Sequence, residues 1–256
     1  MKLGMVTYQI GKDWSVAEII EKCQATGFQG VELRTTHAHG VETTLSADER
    51  AAVKQQFADG GIEIAGIGSA FEYHSDDAAT VRENIEGTIE TAQLAADLGC
   101  LGVKVRPNGL QLDKGIPEEK TLEQIGVSVG ECAKAAADVG VEIRVEVHGR
   151  ETKVPSRMRS IIDHADHDNA YLCWNSDFGE VGDDGTIQEA WHLMGTKVGL
   201  VHITELWKTE YPWRELFSKL KGAGYEGYTL AEISAANDDA ERLMHYYKAL
   251  WDAYQH

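Results

Sequence analysis

The chain has few prolines, no long apolar run, no closely spaced cysteine pair and no excess of basic residues, and each shortage removes a class of protein. With only 4 prolines in 256 residues, helix and strand interiors are left unbroken; Pro117 and Pro155 sit where they open helices or turns. The longest apolar stretches fall far short of a membrane span, so membrane contact is not expected. Lys and Arg number 24 against 42 Asp and Glu, giving a formal net charge of −18 that repels polyanions. Nucleic acid is therefore an unexpected partner, and a neutral or weakly charged small molecule is favoured over a phosphorylated one. No Gly-x-Gly-x-x-Gly or Gly-Lys-Ser/Thr loop follows the first strand, which argues against a nucleotide fold. Cys23, Cys100, Cys132 and Cys173 lie on separate predicted elements and read as small buried hydrophobes in a reducing compartment. Because Met1-Lys2-Leu3 leads straight into a strand, a cytoplasmic location is expected. Nothing divides the chain into parts, so residues 1–256 are read as one domain.

What is present begins with residues 141–150, where valine or isoleucine alternates with Glu142, Arg144, Glu146 and His148. Side chains alternate across a strand, so this one has an apolar face and a charged face. An edge strand with its polar side in water would explain one such segment. Gly30-Val-Glu-Leu-Arg34 and Gly102-Val-Lys-Val-Arg106 repeat the device with Glu32, Arg34, Lys104 and Arg106. Several polar faces then have to converge.

Helical stretches that stop at a glycine precede these strands, as at Gly27, Gly61, Gly99, Gly140 and Gly224. Strands are placed near residues 3–8, 31–34, 62–69, 101–106, 141–148, 171–175, 198–202 and 228–233. Helices fall at 15–26, 47–59, 78–98, 117–139, 155–165 and 238–254. Eight strands alternating with helices in about 250 residues fit a single-domain α/β fold, a (β/α)8 TIM barrel, with a doubly wound open sheet as the rival.

In such a barrel chemistry sits at the C-terminal ends of the strands. Those ends carry Glu146 and His148, then Asn175 with Asp177, then His202, then Glu232. Two carboxylates, an imidazole and an amide or acid make a hard-ligand set suited to a divalent ion with positions left for oxygen ligands. Taken singly, each is equally a buried hydrogen bond or ion pair, such as Glu146 with Arg144 or Lys104.

Val145-Glu-Val-His-Gly149, Cys173-Trp-Asn-Ser-Asp177, Val201-His-Ile-Thr-Glu205, Tyr211-Pro-Trp-Arg-Glu215 and Thr229-Leu-Ala-Glu-Ile233 resemble the xylose isomerase-like TIM barrels, and within them the sugar phosphate isomerase/epimerase subgroup. The resemblance runs over nearly the whole chain, from residues 30–42 to 246–251. It implies one divalent metal, Mn²⁺ foremost and Mg²⁺, Co²⁺ or Zn²⁺ as alternatives, held by Glu146, His202, Glu232 and the acid ending the sixth strand. Here Asn175 stands where that Asp is expected, and Asp177 comes two residues later. It further implies an isomerase or epimerase of a sugar or keto-sugar, working through an enediolate with Glu146 and Glu232 as acid/base pair. Substrate hydroxyls are assigned to Glu32, Arg34, His74, Lys104, Arg106, His148 and Trp207, although Lys104 and Arg106 equally suit neutralising interior acids.

Two other readings remain open: a metal-dependent lyase or hydrolase on 3-keto-glycosides or related keto-sugars, and a metal-free sugar-binding protein, which Asn175 favours. His37-Ala-His39 reads as a loop over the substrate rather than a second metal pair. Tyr73, Trp207, Tyr211, Trp213 and Phe217 near the strand ends suggest sugar stacking or a subunit contact, leaving a homo-oligomer open.

Overall fold

Strand and helix alternate until the last strand pairs with the first. In the computed structural model, which describes residues 1–234 and 239–255, all eight strands join in sequence order into a closed parallel barrel. They are β1 (Lys2–Val6), β2 (Gly30–Arg34), β3 (Glu63–Glu72), β4 (Gly102–Arg106), β5 (Glu142–Glu146), β6 (Ala170–Asn175), β7 (Val198–Ile203) and β8 (Tyr228–Ala231). Helices follow in turn: α1 (Val16–Thr26), α2 (Ala47–Gly60), α3 (Ala78–Leu98), α4 (Glu118–Ala137), α5 (Pro155–Ala165), α6 (Gln188–Met194), α7 (Trp213–Gly222) and α8 (Ala240–Tyr254). The open-sheet alternative is thereby excluded. No described helix is long and apolar enough to cross a membrane.

Local sequence sets the helix ends. Ser15 accepts from the Glu18 amide while the Glu18 carboxylate accepts from the Ser15 amide, and Ser46 with Glu49 repeats the exchange. Each pair satisfies backbone donors that a helix start leaves open. Pro155 occupies the first turn of α5, and Gly27, Gly61 and Gly99 take the left-handed conformation at the stops. Two expectations shift: β3 runs on to Glu72, and α8 begins at Ala240 behind an Asp239 cap. Asp238, placed in that helix from sequence, lies outside the described residues.

The alternation read from sequence resolves into two separate cores. Outward-facing Val31, Leu33, Ile67, Val103, Val105, Ile143 and Val145 pack under the helices in one large apolar shell, and each such side chain contributes about 1.5–3 kcal/mol by burial. Inside the barrel a second, smaller group, Val6, Ala65, Cys173, Leu200, Tyr228 and Leu230, plugs the middle. Below the plug, Arg144 pairs with Glu142 and donates to the Ala65 carbonyl. All four cysteines are buried thiols, and burial pushes Cys23 and Cys100 up to about 12.

Candidate active site

Above the plug the strand ends bring their polar faces together around His202. Its Nδ1 lies 3.6 Å from Glu146 Oε1 and 3.7 Å from Glu232 Oε2, and its Nε2 lies 3.3 Å from Glu32 Oε2. Glu146, His202 and Glu232 each offer one ligand atom, and these atoms lie within 4.8 Å of one another. Lys104 donates to Glu146 Oε2 at 2.8 Å and reaches the Ser69 carbonyl at 3.4 Å. Glu32, wholly buried, has room only because residue 68 is glycine: a Cβ there would stand 2.6 Å from Glu32 Oε1.

The electrostatics are those of crowded acids in a dry place. Burial alone would raise the Glu146 carboxyl, but the Lys104 ammonium and His202 overcome it and hold Glu146 far below the usual carboxylate range. Glu232, with no lysine or arginine paired to it among the described residues, is raised by burial and by Glu146, which outweigh the opposing pull of His202. Burial works against a charged His202, yet Cys173, Glu32 and Glu146 hold the imidazole well above its ordinary value.

Three buried atoms in this group have no partner: Glu32 Oε1, Asn175 Oδ1 and His202 Nδ1. In the neutral ring that binding an ion requires, the contact of His202 Nε2 with Glu32 would keep the one ring proton on Nε2 and leave the Nδ1 lone pair facing Glu146 and Glu232. A carboxylate behind a histidine whose other nitrogen faces two acids is the usual surrounding of a metal-binding imidazole. Asn175 pairs in register with His202 on the next strand. The donor set therefore fits a divalent ion.

The remaining expected residues divide. Arg34, Arg106 and His148 line the same cavity, of about 90 Å³, together with Tyr8. His148 is oriented by Asn108 Oδ1 at 2.8 Å from its Nδ1, and Arg106 donates to Glu72 at 2.5 Å. Asp177, His74 and Trp207 do not line this cavity. Asp177 accepts from Lys153 and from the Gly179 amide; His74 Nδ1 stands 3.6 Å from Glu72; Trp207 is exposed, its indole donating to Glu205.

The aromatic reading needs correction. Tyr73 is fully buried with its hydroxyl on Thr88, and Tyr211, Trp213 and Phe217 are core residues. Only Trp207 of that set is exposed: Trp213 and Phe217 lie on the apolar face that α7 turns into the core, and Tyr211 is buried with its hydroxyl accepting from the Trp174 indole. His39 is likewise structural: its two ring nitrogens meet the Arg34 carbonyl and the Val41 amide, and burial lowers it to about 4.

Sequence reasoning missed Tyr8 and Glu180. Glu180 is buried with both carboxylate oxygens unpartnered, and burial with the nearby Asp177 raises it well above the usual range. No periodicity marks it, since it follows Asp177-Phe-Gly in a loop.

The family model of the xylose isomerase-like TIM barrel matches residues 20–250, and the chain belongs to that family. No curated relative matches the sequence. Among solved structures, the chain is similar to apo 3-keto-D-glucoside 4-epimerase YcjR from E. coli, with TM-score 0.81, 16% identity and 99% of each chain covered. It is also similar to D-psicose 3-epimerase from Clostridium cellulolyticum H10, solved with D-tagatose, at TM-score 0.81 and 18% identity over 100% of this chain and 98% of that one. The IolI protein with a bound zinc atom superposes at TM-score 0.77, 18% identical, over 100% and 98%.

Proposed function

We propose that this member of the xylose isomerase-like TIM barrel family is a divalent-metal-dependent isomerase or epimerase of a sugar or keto-sugar. The observation that carries the reading is His202 Nδ1, buried and unpartnered, between Glu146 Oε1 and Glu232 Oε2. Glu146, His202 and Glu232 would hold the ion, with Asn175 Oδ1 as the fourth donor, and Mn²⁺ suits this oxygen-rich set best. Bound there, the ion would polarise a carbonyl and its neighbouring hydroxyl and stabilise the negative charge of an enediolate.

The chain's own residues then divide the work. Glu232 is the better proton acceptor, since its side chain is 23% exposed against 5% for Glu146 and, among the described residues, no lysine pairs with it. Glu146 has Oε2 held by Lys104 and Oε1 beside His202, and its carboxylate serves the opposite side of the substrate carbon. Glu32 would keep the one proton of an ion-bound His202 on Nε2. His148, oriented by Asn108, presents its other nitrogen toward substrate hydroxyls.

The test is a panel of ketoses and keto-glycosides in D₂O with Mn²⁺, followed by NMR. Epimer formation with deuterium at the carbon next to the carbonyl supports the reading. Failure to bind Mn²⁺, Mg²⁺, Co²⁺ or Zn²⁺ together with no conversion of any sugar removes it.

A further inference from the structure

The acidic floor of the cavity faces a basic side that the metal and the proton-transfer groups do not use. Arg34 ends β2 with its backbone held twice, its amide donating to Thr7 Oγ1 and its carbonyl meeting His39 Nε2. Its guanidinium spends only Nη1, on the carbonyl and hydroxyl of Thr35, and among the described residues it forms no ion pair. Arg106, at the end of β4, gives one nitrogen to Glu72 and the Ala70 carbonyl, while its Nε is buried and unpartnered. Both side chains line the cavity with His148 and Tyr8. Two guanidiniums with unspent donors in one partly buried space are stabilised by an anion that accepts from both.

We propose that the substrate carries an oxyanion, a carboxylate or a phosphate, and that Arg34 and Arg106 bind it while the rest of the molecule reaches the acids around His202. This rests on the sugar isomerase or epimerase reading and narrows its substrate class. It runs against the neutral substrate expected from the net charge of −18. Charges spread over the surface are screened beyond about 8 Å at physiological salt, so the local pair outweighs the global sign. Burial and Arg106 lower the Arg34 guanidinium, with Glu32 and Glu146 opposing, which marks a repulsion that a bound anion relieves.

The experiment is calorimetric titration of the Mn²⁺-loaded protein with D-fructose, D-fructose 6-phosphate and the six-carbon keto acid D-fructuronate. One or both charged sugars should bind at least tenfold tighter than fructose, and which one does identifies the oxyanion. The preference should shrink in 0.5 M salt and fall to within twofold in Arg34→Gln, whose far-UV circular dichroism and melting temperature control for folding. Equal binding of all three ligands by the unaltered protein overturns the proposal, as does a preference that survives in both Arg34→Gln and Arg106→Gln. Because binding is read without turnover, an oxyanion preference without isomerisation defeats only the proposed reaction. Turnover of neutral ketoses with no preference defeats only the oxyanion.

Discussion

The two ends of the barrel interior hold the same kinds of residue and treat them in opposite ways. At the N-terminal end Arg144 is satisfied throughout, with Nε and Nη2 on Glu142 and Nη1 on the Ala65 carbonyl, and Lys2 beside it binds Glu63. At the C-terminal end Glu32 Oε1, Asn175 Oδ1, His202 Nδ1 and Arg106 Nε are buried without partners. A buried polar atom left unpaired costs about 1–3 kcal/mol. A fold keeps several such atoms in one place where something from outside the chain completes them. The N-terminal end is scaffold and the C-terminal end is a receptacle, built from the same strands.

The sharpest way to break this comparison is to alter one group at the C-terminal end. Glu232→Gln should lower kcat at least ~10²-fold, the scale of a general acid/base, with the melting temperature unchanged or raised. Full activity would remove Glu232 from the chemistry. Second in size is the ion itself: Mn²⁺ at about a hundred times its Kd should stabilise the protein by about 2.7 kcal/mol. For a chain of this length that raises Tm by roughly 5–10 °C. EDTA should reverse the shift and His202→Ala should abolish it; an equal shift in that variant would place the ion elsewhere.

At the N-terminal end the outcome should invert. Arg144→Met leaves Glu142 and the Ala65 carbonyl without their donor and should cost about 2 kcal/mol, less than a fully buried pair because Glu142 is partly exposed. Its kcat/KM should stay within twofold, and a tenfold fall would erase the distinction between the ends. The smallest effect concerns Glu180. Its carboxyl stays protonated in the folded chain above pH 4.5, where the unfolded chain releases the proton, so folding loses stability as pH rises from there. Glu180→Met should therefore raise Tm by more at pH 8 than at pH 5, by about 1 kcal/mol of stability. A difference independent of pH would show that Glu180 is not held neutral.

The two ends of the barrel were unequally legible in the sequence. The period-two pattern of β5 announced both Arg144 and Glu146, and strand-end parity picked out His202 and Glu232, because alternation is a local property of the chain. The contact of His202 with Glu32 spans 170 residues and left no local trace, so Glu32 read as a sugar ligand rather than the partner of a histidine. Tyr73 and Trp213 failed for a related reason: an aromatic ring after a strand end has the same spacing whether it turns into the core or out to the mouth. The helix α6, seven residues long, is too short for a 3.6-residue period to show.

The apolar plug of Val6, Ala65, Cys173, Leu200, Tyr228 and Leu230 makes the barrel a cup rather than a tube. Among the described residues, the way to His202 is the cavity that Tyr8 and Arg34 line, with the plug barring the other side. Traffic is therefore single file: product has to clear the rim before the next substrate can seat. A bound molecule also stoppers the cup and holds the water beneath it against the plug.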